Sequence, residues 1–285
     1  MTRRRDLALK AVRAALQMRS AAGYQPWQPA AAFDLAQTLG IETRFVDIPS
    51  LEGMYWKKAE PVILVAAERP PGRQAFTCAH ELGHHAFGHG NKIDQVLEES
   101  SLKDPEEYLA DVFAAFLLMP KTAVLHAFSV RALNPRNASP SEVFIVAGWL
   151  GVGYGTLARH LQSGLGLITA RQRADLLKVQ PKTIKRALLG KDIATDVTVV
   201  DDAWTAGRAI DVQVGDFVMA PSGTSVTGPS VGEEAVIMSN TVFNALKPGV
   251  SRLCRPTGWS AYLRVSRRRF IGRSLFRHLE EPPDD

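Results

Sequence analysis

Cysteine is scarce: Cys78 and Cys254 are the only two in 285 residues. Far apart and in dissimilar surroundings, they suit neither a disulfide framework nor a cysteine-based zinc ribbon. Long apolar runs are missing too. No stretch of about 18 uninterrupted apolar residues occurs, so no membrane span is expected. The basic start Met1-Thr2-Arg3-Arg4-Arg5 leads into no apolar run, because Arg13 interrupts Ala11 to Leu16, and this argues against a signal peptide. A cytoplasmic protein without membrane association is the expectation. Compositional extremes are absent as well: 46% hydrophobic and 22% charged residues are ordinary globular values and exclude a disordered chain. The length allows two domains or more.

What is present begins with Phe76-Thr77-Cys78-Ala79-His80-Glu81-Leu82-Gly83-His84-His85. On a helix, His80 and His84 lie one turn apart on the same face. Two imidazoles so placed can take two positions of a tetrahedral zinc, with Glu81 beside the metal as general base. A solvated, His-rich helix end is the competing reading, since His85 and His89 follow among Gly88 and Gly90. The apolar run Val62 to Ala67 just upstream reads as a strand. Strand, short loop and metal helix together favour the zinc reading.

A third ligand is offered by the next helix, which opens at Asp104-Pro105-Glu106-Glu107. Glu107 and Asp111 are again four apart and share a face. Glu107 completes a site of two His and one carboxylate, with water in the fourth position. Asp111 is then the acceptor for the far nitrogen of a ligating His. Alternatively, Asp104 as N-cap, Pro105 at N1 and Glu107 at N3 make a capping box. The ligand reading is preferred because the first helix otherwise holds an incomplete site.

Arg73-x-x-Phe76-Thr77-x-Ala79-His80-Glu81-Leu82-Gly83-His84, Glu107-x-x-Ala110-Asp111-x-Phe113-Ala114 and Leu117-Leu118-Met119-Pro120 closely resemble the ImmA/IrrE family of metallopeptidases. The resemblance covers roughly residues 5 to 165. It implies an intracellular zinc peptidase that cuts a partner helix-turn-helix (XRE-type) repressor. Cleavage would derepress stress-response, mobile-element or anti-phage defence genes. It also implies Zn2+ on His80, His84 and Glu107, with Glu81 as base. Many members carry Asn where this chain has Asp111; both side chains accept a hydrogen bond.

The expected fold is α+β. A zincin-like peptidase domain spans residues 1–125, a helical, helix-turn-helix-like segment 126–190, and a β-rich sensor or partner-binding domain 191–285. Helices are expected over residues 6–22, with a solvated basic face, and 30–39. Strands are expected over 41–46, 53–57 and 62–67. The second or third of these is a candidate to hold substrate at the sheet edge. Ser139 to Leu150, the turn Gly151-Val152-Gly153 and Tyr154 to Gln162 have helix-turn-helix spacing, read here as packing rather than DNA recognition. Tyr154 and His160 are candidate donors to the reaction's oxyanion, with helix packing as the plainer role. From about Lys191, short β-prone segments alternate with Gly, Pro, Asp and Ser, and Pro221 to Gly232 reads as a loop.

Between residues 247 and 279 there is no Asp or Glu, while nine Lys and Arg occur with Trp259, Tyr262, Phe270 and Phe276 interleaved. Cations that track phosphates and aromatics that stack on bases are the ingredients of a single-strand groove. Arg264, Arg267, Arg268, Arg269, Arg273, Trp259 and Tyr262 are therefore candidates to bind single-stranded DNA as an activating effector. The alternative is a solvated basic face over core aromatics. A DNA-binding regulator with a mainly structural zinc site is the competing function; an acid beside an open coordination position argues against it.

Overall fold

Period-two burial builds the first sheet. The computed structural model describes residues 2–95, 104–205 and 207–279. Strands β1 (Glu42–Val46), β2 (Leu51–Trp56) and β3 (Val62–Ala66) bury Thr43 and Phe45, Leu51, Gly53 and Tyr55, and Ile63 and Val65. β1 runs parallel to β3, and β2 antiparallel to it. β3 is therefore central, flanked by β1 and β2, and is no sheet edge. β4 (Lys92–Gln95) pairs antiparallel with β2 and takes the outer position, so β2 is not an edge either.

Four helices accompany this sheet: α1 (Thr2–Ala21), α2 (Ala32–Thr38), α3 (Pro71–Phe87) and α4 (Pro105–Leu118), of which α2 and α3 pack on the strands. α1 lies along α4, and α4 packs on α3. Ala11 and Ala15 face the core, whereas Leu16 is exposed. The basic residues of α1 are not all solvated. Arg19 is buried and donates to the carbonyls of Leu117 (2.6 Å) and Gln28, tying α1 to the end of α4. Pro105–Ser129 is apolar and long enough to cross a membrane, but more than half of it is buried against these neighbours.

α5 (Lys121–Ser129), α6 (Pro140–Leu150), α7 (Tyr154–Arg159), α8 (Ala170–Lys178) and α9 (Pro181–Leu189) form the middle segment. α6 begins with a full capping box between Ser139 and Glu142 and ends at Gly151 in the left-handed region (φ 75°). α6 and the run that follows it cross at 104°, a helix-turn-helix angle. The second helix packs Tyr154, Leu157 and Ala158 into the core. Gly72 in the first turn of α3 packs on this turn: a Cβ there would stand 2.6 Å from the Gly153 nitrogen.

The C-terminal part contains β5 (Val197–Val199), β6 (Ala209–Gln213), β7 (Phe217–Pro221), β8 (Ser225–Thr227), β9 (Val231–Ile237), β10 (Asn240–Ala245), β11 (Gly249–Cys254) and β12 (Ser260–Ser266). They form two four-stranded sheets, ordered β5-β7-β10-β9 and β6-β12-β11-β8. Pro221 to Gly232 is thus not simply a loop, since it contains β8 and the start of β9. β13 (Gly272–Arg273) leaves these sheets and pairs antiparallel with β1, opposite Phe45 and Arg44, as the outer strand of the first sheet.

Candidate metal centre

Pro70 and Pro71 start α3 without needing the N–H groups a helix leaves unbonded. Gln74 donates to the carbonyls of Ala66 (3.2 Å) and Ala67 (3.0 Å), fixing the entry from β3. Arg73 forks onto Glu52 of β2, which Arg69 also reaches, so Arg73 braces the loop. Its place in the motif is explained by that ion pair.

His80 and His84 project from one face of α3 and are buried. Gly83, on the facing side, lets α4 approach: a Cβ there would lie 2.9 Å from the Ala110 Cα. One turn before Asp111 on α4, Glu107 then reaches both imidazoles. The separations are 3.0 Å between Nε2 of His80 and His84, 3.2 Å from His80 Nε2 to Glu107 Oε2, and 3.6 Å from His84 Nε2 to the same oxygen. Donors about 2.0–2.1 Å from one ion, at tetrahedral angles, stand about 3.3 Å apart. The three atoms therefore fit a single zinc-sized ion. Among the described residues this is the one such cluster of His, Cys, Asp and Glu.

Electrostatics agree with the donor set. Close contact with the His80 and His84 imidazoles holds the Glu107 carboxyl well below the usual carboxylate range, against the opposing effect of burial. Asp104 caps α4 through the Glu106 N–H (2.8 Å), which leaves the Glu107 side chain for the imidazoles rather than for a capping box. Asp111 Oδ1 lies 2.9 Å from His80 Nδ1. A carboxylate only accepts, so His80 carries its proton on Nδ1 and turns the Nε2 lone pair to the cluster.

Glu81 is fully buried, and β2 runs directly over it. A Cβ on Gly53 would fall on Glu81 Oε1 and within 2.5 Å of Thr77 Cγ2. Gly53 was not singled out from the sequence, where a glycine inside a strand signals only some close approach. Cys78 points to Thr43 of β1, and burial pushes its thiol up to about 12, as suits a core residue. Cys254 lies on β11, unpaired with Cys78.

Tyr154 and His160 are not oxyanion donors. The Tyr154 hydroxyl donates to the Leu176 carbonyl (2.7 Å), and His160 Nε2 to that of Met119 (2.9 Å), both inside the helical layer. The arginines expected to grip a nucleic-acid strand are also placed differently. Arg264 forks onto Asp34 of α2 (3.0 and 3.2 Å) and onto Asp211 of β6 (2.6 and 2.7 Å). Arg268 pairs with Asp216 (2.6 Å), Arg273 with Glu42 (2.8 Å) and Arg269 with Glu68 (3.4 Å). Trp259 is partly buried and donates to the Trp204 carbonyl, whereas Tyr262 and Arg267 are exposed. Part of the local excess of positive charge is therefore met by acids from distant parts of the chain.

Residues 36–144 match the IrrE N-terminal-like domain, Peptidase_M78. This segment contains β1 to β3, the metal helix and Glu107. No curated protein matches the chain. Among solved structures, a Mycobacterium tuberculosis transcriptional regulator is 20% identical over 59% of this chain, with a TM-score of 0.36. The match spans 49% of that regulator, so the chain corresponds to about half its length. A cysteine protease inhibitor of Entamoeba histolytica, EhICP2, matches at 8% identity over 26% of this chain and 98% of its own, with a TM-score of 0.16. Neither likeness is close enough to define this fold. The motif pair, its geometry and the family match agree: residues 36–144 are similar to the IrrE N-terminal-like domain, Peptidase_M78.

Proposed function

We propose that this chain is a zinc-dependent endopeptidase whose substrate is a partner helix-turn-helix repressor. The observation that carries this reading is the tetrahedral spacing of His80, His84 and Glu107, with the buried Glu81 carboxylate next along the helix. Structural zinc sites use four protein ligands; three with an open position suit catalysis. A bound zinc would supply Lewis acidity, bringing the pKa of its water towards about 7 and polarising a scissile carbonyl.

The chain's own residues do the rest. His80, His84 and Glu107 hold the ion, and Asp111 orients His80. Glu81 accepts a proton from the attacking water and delivers it to the leaving amide nitrogen. The water oxygen bonds to the carbonyl carbon, the C–N bond breaks, and no bond to the enzyme forms. β4 has no neighbour on its far side among the described residues, and its backbone edge suits an extended peptide.

The substrate class rests on the motif resemblance, which also supports action inside the cell on genes of stress response, mobile elements or anti-phage defence. Single-stranded DNA is not carried into the proposal, because most of the arginines expected to bind it are engaged with carboxylates. The test is co-expression with a repressor encoded beside this gene. One cut is expected, lost in Glu81→Gln although zinc is retained. Undiminished cleavage by Glu81→Gln would remove Glu81 from the mechanism. A zinc-loaded wild type that cuts no such repressor would favour a regulatory binding protein.

A further inference from the structure

The two imidazoles of the centre are held from behind by unlike partners. His80 has the Asp111 carboxylate. His84 has another imidazole: its Nδ1 lies 2.8 Å from Nδ1 of His89, and the rings meet at 61° with centroids 5.1 Å apart. His89 is itself buried.

The contact is built by the end of the helix. Gly88 takes the left-handed conformation (φ 68°), which residues with a side chain adopt at a cost. The chain then turns back, and the His89 N–H donates to the His84 carbonyl (3.0 Å) while the Gly88 N–H donates to that of His85 (3.1 Å). These are the two backbone bonds of a Schellman turn, which brings the residue after the left-handed position against the one five back. Here the facing pair is His89 and His84. An apolar contact usually fills that place; this chain puts a hydrogen bond there.

Two nitrogens at 2.8 Å need one proton between them. If the proton sat on His89 Nδ1, His84 Nδ1 would be the bare acceptor. A neutral His84 would then carry its own proton on Nε2, aimed at His80 Nε2 and Glu107 and unable to bind metal. The other arrangement leaves His84 Nε2 bare, as Asp111 does for His80. Only it gives two imidazole lone pairs facing one point.

We infer that His89 is a positioning residue for the metal centre: as a neutral acceptor it fixes the Nδ1–H tautomer and ring plane of His84. This rests on the reading of His80, His84 and Glu107 as the metal site. Unlike Asp111, His89 orients a ligand without adding negative charge behind it.

The test measures zinc affinity by chelator competition, and the visible absorption of the cobalt-substituted protein, for wild type, His89→Phe and His89→Gln. Phe keeps a buried ring but has no acceptor; Gln restores an acceptor. Loss of such a partner lowers metal affinity by about 10–100-fold. His89→Phe should show that loss and a changed cobalt spectrum, and His89→Gln should recover most of both. Should Phe not be accommodated, His89→Ala must show the same loss with the fold retained by circular dichroism. Wild-type affinity in the variants that lack an acceptor would overturn the role of His89 and leave the metal site standing. Wild type that binds no zinc would overturn the site and the inference together.

Discussion

At Gly53 the absence of a side chain shapes the chemistry of another residue. β2 crosses Glu81 so closely that one added carbon would meet its carboxylate oxygen and Thr77. Gly53→Ala should therefore push Glu81 aside while leaving His80, His84 and Glu107 in place. A shift of about 1 Å in a reacting group costs on the order of 100-fold in rate. Zinc content should stay at the wild-type value while repressor cleavage falls by about that factor. Loss of zinc instead would mean that the strand supports the ligands rather than the base.

Among the elements, α7 and its π-helical continuation His160–Gly164 bury an imidazole that does no chemistry. Burial holds His160 down to about 4, and its bond to the Met119 carbonyl opposes this only in part. The folded pKa lies below the unfolded value of about 6.5. Between these values the unfolded chain binds a proton that the native chain refuses. The penalty is absent above about pH 6.5 and grows as pH falls towards 4. At pH 5 it amounts to roughly 2 kcal/mol. His160→Gln keeps a donor for Met119 but does not titrate. Denaturation of the metal-free protein in chelator should show a flatter loss of stability from pH 7 to pH 5 in that variant. Parallel curves would mean that His160 is hydrated enough to protonate in place.

The elements also differ in how openly the sequence announces them. α3 and α4 are legible because their information is local: i, i+4 pairs, prolines at N1 and Asp104 as a cap. β11 is not, since Val250 faces solvent while Ser251 is buried, the reverse of what polarity suggests. β13 has two residues and no pattern to read. His89 was visible only as part of a His-rich helix end, although Gly88 before it signals the turn that carries it back to His84.

Across the whole molecule, what escaped the sequence is pairing over long separations. Residues 247 to 279 carry nine Lys and Arg and no Asp or Glu, a local excess with no partner nearby in sequence. In the folded chain, Arg264 meets Asp34, 230 residues away, and Arg277 shares Asp34 and Asp211 with it. The cluster joins the C-terminal sheets to α2, while β13 joins them to β1. Burial would raise the Asp211 carboxyl, but Arg277 and Arg264 outweigh it and hold it to about 2. Its folded pKa is below the unfolded one, so its contribution is present above about pH 4 and is lost as pH falls towards 2. Asp34→Ala leaves two guanidinium groups to one carboxylate. It should lower stability by roughly 1–3 kcal/mol in urea denaturation, with zinc binding unchanged. An unchanged midpoint would show that solvent replaces Asp34 without cost.

The central claim is that one zinc is held by two residues of α3 and one of α4. The most direct measurement is the zinc content of purified wild-type protein and of Glu107→Ala after equal dialysis. The account predicts one zinc per chain in the wild type and its loss from Glu107→Ala. Full zinc occupancy in Glu107→Ala would contradict it.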